Sequence, residues 1–204
     1  MAYDHQRQRT RVEHVADGRS SGLACDDDGM PEPGTTAVVI VLPDAAPLLE
    51  AAWRVDPALV RRGVPAHVSL LYPFVPESAL TDQDEKDVRS LAARFPAVDL
   101  LLEEVVTASG FVAVAVPGLQ TIVDAFRAQW PGLRPYEGRF GAQPAAHVTV
   151  AMGADNPAAA ARVRAAIGSL LPLRTRAAAV QLVVLTEEGW QSRFTVPLGV
   201  PDGS

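Results

Sequence analysis

From residue 35 onward the apolar positions follow two rhythms, one of two residues and one close to 3.6, marking out strands and helices. Residues 37–42 are a β-branched run that predicts a buried strand. Asp44 then stands where an N-cap would, ahead of a helical stripe of Leu48, Leu49, Ala52 and Trp53 that ends near Asp56-Pro57. Residues 64–71 read as the next strand. Thr81 and Asp84 have capping-box spacing at the head of a helix whose stripe is Val88, Leu91, Ala92 and Phe95. Residues 98–106 and 111–116 predict a hairpin turning at Ser109-Gly110. Leu119, Ile122, Val123, Phe126 and Trp130 share one face of a third helix, which Pro131-Gly132 stops. A loop rich in Gly and Pro over 133–144 leads into a strand over 146–152. Asn156 and Pro157 open a fourth helix, buried through Ala160, Val163, Ile167 and Leu170. Two strands over 178–185 and 191–196, parted by Glu187-Glu188-Gly189, follow it. Helices interspersed with strands on short turns predict an α+β fold with antiparallel or mixed sheets.

Residues 1–34 break this pattern. They carry Arg7, Arg9, Arg11, Arg19 and the run Asp26-Asp27-Asp28 with almost no aliphatic clusters. Burial cannot offset their chain entropy, so a disordered, dispensable tail is expected, leaving one folded domain over 35–204. Of the 204 residues 48% are hydrophobic and 21% charged, which supports a buried core and excludes disorder throughout. The single cysteine, Cys25, excludes an internal disulfide framework and a cysteine-based zinc site. No apolar run is long enough to span a membrane, and the polar N-terminus has no secretory h-region, so a cytoplasmic protein is expected. A net charge of −6 argues against a surface that coats nucleic acid along its length. It leaves room for a small site built from a few local donors.

Two of the four histidines sit in matching surroundings, Pro65-Ala66-His67-Val68-Ser69-Leu70 and Pro144-Ala145-Ala146-His147-Val148-Thr149-Val150. They lie 80 residues apart, about half of the folded part, as an internal duplication would leave them. Side chains alternate along a strand, so His67 and Ser69 share one face while Val68 and Leu70 share the other, and likewise for His147 and Thr149. Imidazole and hydroxyl then stand about 7 Å apart along each strand. If a pseudo-two-fold axis relates the halves, both polar faces line one cleft. Such a cleft suits in-line displacement at phosphorus: one neutral imidazole takes a proton from the nucleophile and the other gives one to the leaving oxygen. Ser69 and Thr149 are candidate donors to the non-bridging oxygens. No metal shell or cofactor motif accompanies them, so none is expected.

These motifs, together with Leu71-Tyr72-Pro73-Phe74 after the first, resemble the paired His-x-Thr/Ser-x signatures of the 2H phosphoesterase superfamily. Within it the chain is similar to the bacterial 2′-5′ RNA ligase-like proteins, the RNA 2′,3′-cyclic phosphodiesterases. Ser69 stands where Thr is commoner, and the hydroxyl is kept. The resemblance implies a bilobal architecture: two pseudo-symmetric antiparallel-sheet lobes with outer helices and a central cleft. It also implies opening of 2′,3′-cyclic phosphates of RNA ends or small cyclic nucleotides to 2′-phosphates, with 2′-5′ RNA ligation as the reverse. A monomer is expected. Hydrolysis of another cyclic phosphate or of 2′-5′ oligonucleotides, and nucleotide binding without turnover, are the alternatives. Tyr136, Arg139 and Phe74 are candidate substrate-binding residues, as base platforms or phosphate partners. Phe140 and Trp190 are weaker aromatic candidates, and Arg193 on the last strand is an exposed or cleft-facing cation.

Overall fold

A computed structural model describes residues 31–199, apart from 62, 109, 139, 142 and 155. Most of the expected tail thus lies outside the described residues. Its last part does not: the Gly34 N–H donates to the Leu185 carbonyl at 2.8 Å, so the sheet engages the chain just ahead of residue 35.

The elements run β1 (Thr36–Val41), α1 (Ala46–Val55), β2 (His67–Leu71), α2 (Asp82–Ala92), β3 (Val98–Leu102), β4 (Val105–Ala108), β5 (Phe111–Ala115), α3 (Gln120–Gln129), β6 (His147–Met152), α4 (Pro157–Gly168), β7 (Leu173–Ala177), β8 (Ala179–Thr186) and β9 (Gly189–Pro197). Seven strands form one antiparallel sheet in the order β4-β5-β6-β2-β1-β8-β9, and β3 pairs with β7 in a small second sheet. This order is nearly a palindrome. The run β1-α1-β2-α2-β3-β4 repeats as β5-α3-β6-α4-β7-β8, with β9 added at one edge. The repeat extends to single hydrogen bonds: Leu42 N–H donates to the Ala66 carbonyl at 2.8 Å, and Val116 N–H to the Ala146 carbonyl at 2.9 Å. The two expected lobes are therefore halves of one continuous sheet, joined along β2 and β6.

The helices cover the apolar face of the sheet. Leu48 and Ala52 of α1, Ile122, Val123 and Phe126 of α3, and Val163 and Ile167 of α4 are all buried, in one core with Val68, Leu70, Val148 and Val150 from the two central strands. Helix α3 packs on β2 and α1 on β6, so each half's helix lies beneath the other half's histidine strand. Helix α2 begins with the capping box expected of Thr81 and Asp84. None of the described helices is long and apolar enough to cross a membrane.

Several details differ from expectation, among them Leu170, which lies past the end of α4 and is exposed. Asp44 caps nothing; α1 starts without a side-chain cap, and the Asp44 carboxylate accepts from the Thr175 hydroxyl at 3.2 Å. Strand β3 leaves the hairpin predicted for it and pairs with β7, Leu100 opposite Thr175. β7 itself, Leu-Arg-Thr-Arg-Ala, has its arginines exposed and Thr175 and Ala177 buried.

Candidate active site

Strands β2 and β6 lie side by side at the centre of the sheet and pair antiparallel at Val68 and Val148. Around that pair the register sets His67 beside Thr149 and Ser69 beside His147, all four on the face away from the helices. Cross-strand neighbours have Cβ atoms about 4.5–5.5 Å apart and diagonal ones, here the two histidines, about 7–8 Å. The imidazoles thus stand diagonally on one floor, with both polar faces on the same side of the sheet.

A bulge follows the hydroxyl in each strand. Val38 pairs with Leu71 and Val39 with Ser69, leaving Leu70 extra; Val112 pairs with Ala151 and Ala113 with Thr149, leaving Val150 extra. Each bulge ends the alternation, so Leu70-Leu71 and Val150-Ala151 are buried in succession while the imidazole and hydroxyl before them stay on the cleft side.

Both imidazoles are held alike. Nδ1–H of His67 donates to the Pro65 carbonyl at 2.8 Å, and Nδ1–H of His147 to the Ala145 carbonyl at 2.7 Å. A carbonyl only accepts, so Nδ1 carries the proton and Nε2 of the neutral ring keeps its lone pair. Burial lowers both pKa values below the ordinary imidazole value, against the opposing effect of the carbonyl bonds; the His147 and Arg61 charges lower His67 further, and the Arg127 charge lowers His147 further. Both rings are therefore held toward the neutral form.

Above this floor is a cleft of about 820 Å³ whose lining includes all four motif side chains. Its walls are aromatic. Phe111 stacks on His147 at 5.6 Å between centroids, and Tyr136 lies 6.0 Å from the same ring. Tyr72 bridges Tyr136 and Trp190, at 5.8 and 6.2 Å, and Phe140 meets both Phe111 and Tyr136. Tyr136 is held in the left-handed region, φ 50°, with Glu137 at φ 55° after it, conformations that bulky residues rarely adopt. The Tyr136 N–H donates to the Tyr72 carbonyl at 2.7 Å, tying the loop to the end of β2. Burial raises the phenol's pKa, opposed by a hydrogen bond with Ser69 and by the Arg127 charge, so the hydroxyl keeps its proton beside Ser69.

Of the expected substrate-binding residues, Tyr136 lines the cleft and Arg139 lies outside the described residues. Phe74 does not reach the cleft: it is 1% exposed and packs edge-on against Trp130 at 5.2 Å, as part of the core. Trp190 and Phe140 line the cleft, whereas Arg193 is paired with Glu85 at 2.6 Å and Glu77 at 3.4 Å. Phe111 and Arg127 had no sequence signal, because only the strand order and the packing of α3 bring them near the histidines, and Arg61, in the segment that leads into β2, belongs to no motif. Among the described residues no three His, Cys, Asp or Glu side chains gather as a metal site would require.

A family model described as the 2′-5′ RNA ligase superfamily matches residues 42–189. Among solved structures, E. coli LigT complexed with ATP is similar at a TM-score of 0.54 and 17% identity, over 83% of this chain and 100% of that one. E. coli LigT complexed with 3′-AMP matches at 0.52 and 17%, with the same coverage. TT0787 of Thermus thermophilus matches at 0.50 and 18%, again over 83% and 100%. At such identities the likeness is one of fold. No curated protein matches the chain by sequence. The family match, however, spans most of the chain and takes in both histidine strands: the chain belongs to the 2′-5′ RNA ligase superfamily.

Proposed function

We propose that this protein is a cyclic phosphodiesterase that opens 2′,3′-cyclic phosphates of RNA ends or nucleotides to 2′-phosphates. The observation that carries this reading is the identical anchoring of two imidazoles, each by Nδ1 to the carbonyl two residues before it, above one cleft. A base and an acid are the two groups that displacement at phosphorus needs. The neutral imidazole takes a proton from water at Nε2 as the water oxygen bonds to phosphorus. The P–O3′ bond breaks, and the other ring, protonated, gives its Nε2 proton to the departing O3′. Charge gathers meanwhile on the two non-bridging oxygens, within reach of hydroxyl donors from Ser69 and Thr149. The products are a 2′-phosphomonoester and a free 3′-hydroxyl, and a 5′-hydroxyl in place of water would give a 2′-5′ linkage.

The aromatic walls suit a nucleoside, and E. coli LigT has been solved with ATP and with 3′-AMP. Both histidines come from one chain, so a monomer suffices. The test is incubation with adenosine 2′,3′-cyclic phosphate in EDTA, with the product read by phosphorus NMR. Clean formation of the 2′-phosphate is expected. No turnover, a 3′-phosphate product, or strict dependence on an added divalent ion would overturn the proposal.

A further inference from the structure

Beside the cleft, between α1 and the segment leading to His67, lies a second hollow of about 340 Å³, lined by Leu49, Trp53, Arg54, Val60, Arg61 and Val64. It adjoins the cleft directly, since Leu49, Val60, Arg61 and Val64 line both. Arg61 stands at the junction. It is exposed, has no ion-pair partner among the described residues, and its charge is felt at the His67 ring. Glu50 also lines the hollow and pairs with Arg54 at 3.4 Å, but their side chains are 64% and 75% exposed, so water screens that pair. The half-buried Trp53 and the three aliphatic side chains give the rest of the surface an apolar, partly aromatic character.

A phosphodiester chain that enters the cleft by its cyclic end carries its next negative charge one nucleotide upstream. We propose that the hollow is a subsite for that upstream nucleotide, with Arg61 holding its phosphodiester and Trp53, Leu49, Val60 and Val64 receiving its base. This rests on the proposed function and narrows its substrate class, from any 2′,3′-cyclic nucleotide to the end of an oligoribonucleotide. Guanidinium groups suit phosphate oxygens, and bases stack on aromatic faces with little regard to sequence. The hollow's volume is at the low end of ligand pockets, matching one nucleotide unit and no long track. The net charge of −6 agrees with so local a contact.

The experiment compares an adenylyl-adenosine ending in a 2′-phosphate with adenosine 2′-phosphate by titration calorimetry, and the two cyclic forms by turnover. The dinucleotide is expected to bind about tenfold more tightly, as one good phosphate contact and one stacked base would give. Arg61→Ala and Trp53→Ala should each cut that advantage to about threefold or less, with the mononucleotide as internal reference. Exposed Arg61 decides the matter if Trp53→Ala fails to fold. Equal binding of the two ligands, or an advantage untouched by Arg61→Ala, would overturn the subsite even with hydrolysis intact. A protein that prefers the dinucleotide yet opens neither cyclic substrate would refute the phosphodiesterase reading and leave the subsite standing.

Discussion

Replacing each histidine by asparagine separates the anchor from the proton-transfer atom. The asparagine amide nitrogen sits close to where Nδ1 was, so His67→Asn and His147→Asn would keep an N–H donated to the Pro65 and Ala145 carbonyls, bonds now of 2.8 and 2.7 Å. Nothing then occupies the Nε2 position. Loss of a general acid or base costs about 10²–10⁴ in rate, or about 3–5 kcal/mol in the barrier. Each variant should lose kcat/KM on adenosine 2′,3′-cyclic phosphate by that factor. The double variant should be little worse than either single, because both groups act on one displacement. Melting temperatures should stay within about 2 °C of the parent. The alanine variants, which lose the carbonyl bond at about 1 kcal/mol, should fall by about 2–4 °C in a chain of this size. An asparagine variant that kept more than a tenth of parental activity would refute the acid–base assignment. So would single losses that multiplied in the double variant.

Burial holds both imidazoles below their ordinary pKa, so the kcat/KM profile should be a bell with its maximum on the acid side of about 6.5. For stability the sign is the same for both rings: the unfolded chain binds protons first as pH falls below about 6.5, so this contribution is full above 6.5 and lost through the lower folded values. Urea melts between pH 7.5 and 5 should show that loss reduced in His67→Asn. Tyr136→Phe removes only the hydroxyl beside Ser69 and should lower kcat about tenfold at unchanged melting temperature, since it keeps the ring and its aromatic contacts. Phe74→Ala should cost about 3–5 kcal/mol of stability by chemical denaturation, as a cavity in the core, with the KM of the remaining folded enzyme unchanged.

The periodic elements were legible because their signals are local. Thr81 with Asp84 and Asn156 with Pro157 mark helix starts by side-chain chemistry that acts within three residues, and both caps are present. The matched motifs also placed imidazole and hydroxyl on one strand face. What stayed hidden depends on pairing between distant segments. The alternation of β7 is real, but its outward positions are Arg174 and Arg176 and its buried ones Thr175 and Ala177, a pattern without a hydrophobic run. The bulges at Leu70 and Val150 add no residue type that a turn or cap would use; they exist only relative to β1 and β5. Phe74 follows a site motif and is aromatic, yet the packing of α3 through Trp130 decides which way it turns.

The palindromic strand order has a consequence for how the molecule opens. β4 ends the first half of the chain but pairs with β5 of the second, and β8 ends the second repeat but pairs with β1 of the first. Each half lends its last strand to the other, and β3 and β7 clasp each other across the middle. Neither half can come apart without tearing the sheet of its neighbour, so unfolding should be a single cooperative event. The histidine strands sit at the centre of that sheet, far from any fraying edge. Their inward-bonded amides should exchange with solvent only when the whole molecule opens, giving the catalytic floor the slowest amide exchange in the chain, while the exposed ends of the edge strands β4 and β9 exchange earlier.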